Sequence, residues 1–130
     1  MDNYKDNVMF GGVFSRDNLP KRCDNKFYIV NLNKKHEPGS HWVAVINNTS
    51  NEECYYFDSF GVYPAPEILR FMQSSNKKIK YNIYRIQALG SIMCGYFCIY
   101  IIDEMCKGRE FYDVLVDFDP NDYVGNDSLI

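Results

Sequence analysis

The stretch Ser91-Ile92-Met93-Cys94-Gly95-Tyr96-Phe97-Cys98, written SIMCGYFC, leads into the longest near-continuous apolar run of the chain. The β-branched and aromatic residues after Cys94 would suit a buried strand. The length of the segment, its polar last turn and the stop at Gly108 instead favour a helix over residues 94–107. We therefore predict a buried helix that begins at Cys94 and forms one wall of the core.

Cys94 has four possible roles. A cysteine in an apolar run is most often a small core residue, and this is our interpretation of Cys54, Cys98 and Cys106. A redox pair with Cys98 is disfavoured because the usual motif is C-x-x-C, and a metal site is disfavoured because the two thiols have no close histidine. At the start of a helix, the helix dipole and backbone N–H groups favour a thiolate, which makes Cys94 a candidate nucleophile.

The composition predicts one compact domain over residues 1–130. Hydrophobic residues make up 46% of the chain and aromatic residues 16%, which argues against extensive disorder. The formal net charge of -3 does not imply a broad basic surface, although Lys77, Lys78 and Lys80 form a small cluster. Nucleic acid is therefore a weak expectation as a partner.

Membrane insertion and secretion are not indicated by the sequence. The apolar run from Tyr96 to Ile102 is far shorter than a bilayer span, and the first residues, MDNYKDN, lack the order of a secretory signal. The 5 cysteines are odd in number and lack paired C-x-x-C knuckles. We expect free thiols in a reducing compartment, with no metal and no cofactor.

Short elements follow one another along the chain. Residues 1–26, with Gly11-Gly12 and Pro20, predict an irregular lead-in. A loop is expected from Asn33 to Ser40. Strands are predicted at Phe27–Leu32, Trp42–Ile46, Cys54–Phe57 and Tyr81–Gln87, the second and third forming a hairpin.

Two further segments complete the prediction. A helix begins at Pro66, and its apolar side carries Ile68, Leu69, Phe71 and Met72 until the polar stretch Ser74–Asn76 ends it. The last 20 residues are expected to pack through apolar side chains and then fray. These packing residues are Phe111, Val114, Leu115 and Phe118.

His41 and Asp58 bracket the predicted hairpin. A turn centred between Thr49 and Ser50 would place these two residues opposite each other at its open end, with Cβ atoms about 5 Å apart. A carboxylate in that position holds the tautomer of an imidazole and stabilises its charged form. Together with Cys94, the pair predicts an imidazolium–thiolate site.

Three other residues complete this candidate site. The backbone N–H of Cys94 would point to where a carbonyl oxygen sits after attack, and the side-chain amide of Gln87 would supply a second donor. Gly95 would let the chain turn tightly beside the sulfur. Trp42, next to the base, would cover the His41–Cys94 pair and exclude water, so Trp42 and Gly95 are the candidate substrate-binding residues.

These motifs resemble those of the adenovirus-type cysteine proteases, adenain and its relatives, which share a fold with the Ulp1-like SUMO proteases. The resemblance rests on GSHWVAV (39–45), CYYFDSFG (54–61) and a glutamine seven residues before CGYFC (94–98). It implies that His41 is the general base, Asp58 its orienting acid, Gln87 an oxyanion donor and Cys94 the nucleophile. The opening VFSRDNLP is similar to compact proteases of small DNA viruses, virophages and Maverick/Polinton elements.

The resemblance implies a papain-like, Ulp1-like α+β fold, in which a mixed, mainly antiparallel sheet packs against the helix that starts at the catalytic cysteine. It also implies a maturation protease that cuts viral capsid or core precursors after small residues, in the host cytoplasm or nucleus and inside the virion. Two alternatives stay open at this point. One is an isopeptidase acting on ubiquitin-like modifiers, and the other is a non-catalytic protein that binds capsid during assembly.

Overall fold

The computed structural model describes residues 9–33, 41–88 and 93–130. The strands in these ranges are β1 (Phe10–Ser15), β2 (Phe27–Asn31), β3 (Trp42–Ile46), β4 (Glu53–Phe57) and β5 (Lys78–Tyr81). The helices are α1 (Pro66–Gln73), α2 (Cys94–Cys106), α3 (Phe111–Leu115) and α4 (Tyr123–Ser128). The predicted loop from Asn33 to Ser40 lies outside the described residues except for Asn33, as does the first part of the lead-in.

The strands form one mixed sheet in the order β1-β2-β3-β4-β5. The two central ladders, β2/β3 and β3/β4, are antiparallel. The two outer ladders, β1/β2 and β4/β5, are parallel. The predicted α+β organisation and the hairpin of β3 with β4 are confirmed.

Both faces of the sheet are buried. In β2, Phe27 and Ile29 face a core cluster that also contains residues of α2 and α3. The alternate residues Tyr28 and Val30 face a second cluster on the other side, which contains residues of α1. This alternation follows from the period of two in a strand and explains why β2, β3 and β4 are nearly continuous hydrophobic runs.

The helix predicted to begin at Cys94 is confirmed, and it ends at Cys106. Its buried residues pack on the same face as Phe57 of β4. The helix that starts at Pro66 is also present, with Ile68, Phe71 and Met72 buried. No helix in the described part of the chain is both long enough and apolar enough to cross a bilayer.

The irregular lead-in is wrong for residues 10–15, which form β1. Gly11 and Gly12 lie within this strand and are not a turn. A side chain at Gly11 would overlap the ring of Tyr28 on the neighbouring strand. The glycine therefore permits the close approach of β1 to an aromatic residue, a contact that local sequence does not reveal.

The strand predicted at Tyr81–Gln87 is also wrong, because β5 lies earlier and ends at Tyr81. After Tyr81, the Asn82 side chain bonds both backbone groups of Asp58, accepting from its N–H at 3.0 Å and donating to its carbonyl at 2.6 Å. The N–H groups of Ile86 and Gln87 both donate to the Ser59 carbonyl, at 2.9 and 3.2 Å. The segment is thus held by the loop after β4 instead of by a strand ladder.

The C-terminal residues pack as predicted, but the chain after them forms a further helix where fraying was expected. The side chains of Phe111, Val114, Leu115 and Phe118 are buried. Beyond them the chain forms α4, in which the buried Asn126 donates to the carbonyls of Ile86 at 2.9 Å and Asp119 at 2.7 Å. A buried amide with several backbone partners thus anchors a short polar segment that hydrophobicity alone does not predict.

Gly61→Ala is expected to destabilise the fold more than Gly108→Ala. Both glycines have a positive φ, +70° and +97°. A Cβ at Gly61 would also lie 2.6 Å from the Tyr84 carbonyl carbon, whereas a Cβ at Gly108 meets nothing within 4 Å. Chemical denaturation should show a loss of about 1 kcal/mol for Gly108→Ala and about 3 kcal/mol or more for Gly61→Ala. Equal losses would contradict the proposed close packing of the loop after β4.

Candidate active site

Three of the predicted site residues lie at the ends of two strands and one helix. His41 immediately precedes β3, Asp58 immediately follows β4, and Cys94 is the first residue of α2. The backbone of Trp42 joins the hairpin to the helix, because its N–H donates to Cys94 Sγ at 3.4 Å and its carbonyl accepts from Cys98 Sγ at 3.4 Å. The two thiols, one helical turn apart, thus fix the helix against the start of β3.

The His41 ring is held on two sides. Its Nε2 lies 2.7 Å from Asp58 Oδ1. One face of the ring stacks on Phe60, with centroids 4.6 Å apart and planes inclined by 21°. Because Nε2 donates to the carboxylate, Nδ1 is the ring nitrogen that remains for the Cys94 thiol.

The predicted contact between His41 and Asp58 is present, but the predicted hairpin register is wrong. Val45 pairs with Tyr56 and Ile46 with Tyr55, so the ladder is centred one residue later than expected. In this register Asp58 is the cross-strand neighbour of Val43, and His41 lies two residues further along the same face. Diagonal neighbours on one face remain within reach of a long side chain, so the contact survives.

Asp58 begins a tight turn that fixes its carboxylate. Its Oδ1 accepts the N–H of Phe60 at 2.8 Å, and its carbonyl accepts the N–H of Gly61 at 2.8 Å. The side chain is only 1% exposed, and the paired bonds of Asn82 hold its backbone from the other side. A buried carboxylate that is both hydrogen-bonded and paired is the arrangement that compensates its desolvation.

The electrostatics of the site favour an ion pair between His41 and Cys94. Burial lowers the pKa of His41, but its hydrogen bonds with Asp58 and Cys94 outweigh this effect and raise the pKa to about 9. Burial raises the pKa of Cys94, but hydrogen bonds from His41 and from the Trp42 and Gly95 N–H groups outweigh it, so this pKa is lowered. A thiolate beside an imidazolium is the reactive form of a cysteine nucleophile.

Gln87 is fully buried and tied to the Asp58 turn. Ser59, next to Asp58, donates its hydroxyl to Gln87 Oε1. The neighbouring Ile86 packs in the same core cluster as Phe97 of α2. The side-chain amide is thus linked to the His41–Asp58 pair through one intervening serine, while its role as an oxyanion donor stays a prediction.

The candidate substrate-binding residues lie beside the sulfur. Gly95 follows Cys94 in α2, and a Cβ at this glycine would lie 3.8 Å from Trp42 Cδ1. Both residues are partly exposed. The glycine has ordinary helical geometry, so its effect here is to leave open space beside the indole instead of permitting a sharp turn.

The other cysteines have different environments. Burial raises the pKa of Cys98 well above its usual range. A hydrogen bond with Cys54, together with burial, raises the pKa of Cys23. The same hydrogen bond lowers the pKa of Cys54, whose side chain is fully buried. Cys106 is exposed, and partial desolvation raises its pKa. Of the five cysteines, Cys94 alone combines a lowered pKa with a histidine as its partner.

Three residues that support the site were missed by sequence analysis. Phe60 stacks on the His41 ring, the Ser59 hydroxyl donates to Gln87, and Asn82 holds the backbone of Asp58. Two of them belong to the Asp-Ser-Phe-Gly motif, from which only the acid was considered. Asn82 carried a signal as well, because asparagine is depleted in strands and favours turns that its side chain can bond.

Comparison with known proteins gives one sequence relative and one structural neighbour of note. The chain is 34% identical over 97 residues to R355, a candidate thiol protease of Acanthamoeba polyphaga mimivirus, covering 67% of this chain and 32% of that protein. The ASFV pS273R protease has a similar structure, with a TM-score of 0.52 and 20% identity, covering 68% of this chain and 37% of that one. No protein-family model matches the sequence.

The chain thus spans about one third of the length of each of these two proteins. The sequence relative is viral and carries a thiol-protease name, and the structural neighbour supports the predicted α+β fold. Together they confirm the resemblance to viral cysteine proteases and the predicted α+β fold.

Iodoacetamide is expected to alkylate Cys94 at a lower pH than Cys106, because only the thiolate reacts and the pKa of Cys94 is lowered whereas that of Cys106 is raised. Peptide mapping after short exposures across a pH series measures both cysteines in one sample. The exposed Cys106 serves as the internal control for accessibility. In Asp58→Asn the imidazolium is less stabilised, so alkylation of Cys94 should require a higher pH. Parallel profiles for the two cysteines would contradict the ion pair.

Proposed function

On the premise that this chain is of the viral, Ulp1-like cysteine protease type, we propose that it is a cysteine endopeptidase whose catalytic triad is His41, Asp58 and Cys94. The observation that carries the proposal is the convergence of the three side chains: the imidazole is 2.7 Å from a buried carboxylate, and its interaction with Cys94 lowers the pKa of that thiol. The three residues come from separate parts of the sequence, which makes a chance arrangement of these chemical groups improbable.

Acylation begins with attack of the Cys94 thiolate on the carbonyl carbon of the scissile peptide bond. The new C–S bond pushes the carbonyl electron pair onto oxygen and forms a tetrahedral intermediate. Collapse of this intermediate breaks the C–N bond, and the leaving nitrogen takes the proton of the His41 imidazolium. The products are an acyl thioester on Cys94 and a free amine.

Deacylation reverses the role of His41. The neutral imidazole removes a proton from water, and the hydroxide attacks the thioester carbon. Collapse of the second tetrahedral intermediate expels the Cys94 thiolate and restores its ion pair with His41. Asp58 holds the proton-bearing Nε2 throughout and stabilises the charged ring, as a carboxylate does in other hydrolase triads.

The negative charge on the substrate oxygen requires donors that are already in place. In our proposal these donors are the backbone N–H of Cys94, at the start of α2, and the side-chain amide of Gln87. Support for Gln87 comes from its complete burial and from its link to the Asp58 turn through Ser59. A flexible surface glutamine would have to be ordered during each reaction.

The proposed substrates are viral capsid or core precursors, cut after small residues such as a Gly-Gly pair, in the host cytoplasm or nucleus and within virions. Support comes from the resemblance and from the position of Gly95 beside the nucleophile, where a Cβ on this glycine would lie in ordinary contact with the Trp42 indole. Trp42 and Gly95 would border the substrate residue that donates the scissile carbonyl. A reducing environment suits the free thiols of the chain.

Cys94→Ala is expected to abolish hydrolysis of a fluorogenic peptide ending in Gly-Gly, assayed under reducing conditions, because no other group replaces the nucleophile. Cys106→Ala is the matched control, since it removes an exposed thiol outside the site and should keep the wild-type rate. Turnover that persists in Cys94→Ala, or that is missing from the wild-type chain, would contradict the proposal. Incubation with capsid precursors and with ubiquitin-like precursors then separates a maturation protease from a deconjugating one.

Asp58→Asn is expected to lower kcat by about 10²–10⁴-fold while the chain still folds, because the amide keeps the turn acceptor but not the charge. The wild-type rate should fall as the pH rises through about 9, where His41 loses its proton. Since the carboxylate raises the pKa of His41, its removal should move this alkaline limb to lower pH. A pH–rate profile with a thermal-unfolding control measures both effects, and an unchanged alkaline limb would remove Asp58 from the mechanism.

A further inference from the structure

The turn that begins at Asp58 contacts two different parts of the candidate site. Asp58 bonds the His41 ring at 2.7 Å, and the next residue, Ser59, donates its hydroxyl to Gln87 Oε1. Ser59 and Gln87 are both fully buried. Consecutive side chains of one turn are thus bonded to the general base on one side and to the candidate oxyanion donor on the other.

Ser59 also holds the backbone that carries Gln87. Its carbonyl accepts the N–H of Ile86 at 2.9 Å and the N–H of Gln87 at 3.2 Å. The carbonyl of Ile86 in turn accepts from the buried Asn126 side chain at 2.9 Å. Both ends of the Gln87 residue, its main chain and its carboxamide, therefore depend on contacts with Ser59.

A glutamine side chain has three rotatable bonds, and ordering it costs the conformational entropy of all three. An oxyanion donor is effective when that ordering is complete before the reaction, because the donor then needs no reorganisation as charge develops. A hydrogen bond at Oε1 fixes one end of the planar carboxamide. The amide hydrogens at the other end then have a defined direction.

We infer that Ser59 is a positioning residue, which holds the Gln87 carboxamide in the orientation that stabilises the oxyanion. This inference rests on the proposed function of the same site. It assigns to the Asp58 turn two tasks, orientation of the base by its first residue and orientation of the oxyanion donor by its second. Ser59 acts only through Gln87 and does not touch the reacting atoms.

The first experiment is a double-mutant cycle of Ser59→Ala and Gln87→Ala, assayed with the fluorogenic Gly-Gly peptide. Ser59→Ala is expected to lower kcat by about tenfold or more with KM changed less than about twofold, and Gln87→Ala to lower kcat by about 10²-fold. Because Ser59 acts through Gln87, the double variant should have the same kcat as Gln87→Ala. Thermal unfolding of each variant checks the fold.

Ser74→Ala is the matched control. Ser74 also makes a long-range hydrogen bond, accepting the N–H of Cys23 at 2.8 Å, but it follows α1 on the face of the sheet opposite α2. Loss of its hydroxyl should affect stability and leave kcat at the wild-type value. A fall in kcat shared by Ser74→Ala would indicate a general effect of weakened packing and would overturn the assignment.

Ser59→Thr and Ser59→Val form a second pair, which keeps the test decisive if Ser59→Ala does not fold. The two replacements have nearly the same shape, and only threonine keeps the hydroxyl. We expect threonine to retain kcat and valine to lose about tenfold relative to it. Equal kcat values for Ser59→Thr and Ser59→Val would overturn the inference and leave the proposed function standing. The same holds if Ser59→Ala lowers kcat by the same factor with and without Gln87. A wild-type chain without Cys94-dependent turnover would overturn the proposed function, and the inference with it.

Discussion

One carboxylate oxygen, Asp58 Oδ1, accepts both the His41 ring N–H at 2.7 Å and the Phe60 backbone N–H at 2.8 Å. Burial of this charge would be costly without such partners. The second bond closes the turn after β4, and the ring of Phe60 then stacks on the imidazole that the first bond holds. Formation of the turn and orientation of the histidine are thus one event. The remaining geometry of the site depends on this oxygen.

The sulfur reaches this pair through the packing of α2 on β3. Trp42 offers its N–H to Cys94 and its carbonyl to Cys98, so the backbone of a single strand residue contacts two successive turns of the helix. A rotation of α2 would break both contacts at once. Cys98 therefore does more than fill space in the core. Its thiol donates to the Trp42 carbonyl, and this bond fixes the rotation of α2 about its own axis so that Cys94 faces the hairpin.

The sequence indicated the central part of this structure and missed the edges. Strands β2, β3 and β4 are hydrophobic runs buried on both faces, and α2 has the length and end signals of a helix, so periodicity and composition were sufficient there. β1 was missed because its glycines are explained only by the Tyr28 ring of the next strand. The segment Tyr81–Gln87 has strand composition, but hydrogen bonds from a loop distant in sequence decide its conformation.

The site was predictable to a similar extent. The candidate roles of His41, Asp58 and Cys94 follow from residue types and spacing, and the His41–Asp58 contact is present despite a hairpin register that differs from the predicted one. Ser59 and Asn82 were not identified. Serine and asparagine side chains form many kinds of local hydrogen bond, and the neighbouring sequence does not indicate which distant residues these two bind. Buried hydrogen bonds between distant segments are properties of the folded chain.

The hydrogen bond from Trp42 to Cys94 joins residues 52 positions apart, whereas His41 and Asp58 are separated by 17. During synthesis on the ribosome, the hairpin with its histidine and carboxylate emerges well before the helix that carries the sulfur. Until that helix docks, the thiol keeps the weak reactivity of an ordinary cysteine, with a pKa of about 8.5. The lowered pKa of the Cys94 thiol therefore arises only when the helix docks against the hairpin and the Trp42 N–H and the His41 ring reach the sulfur.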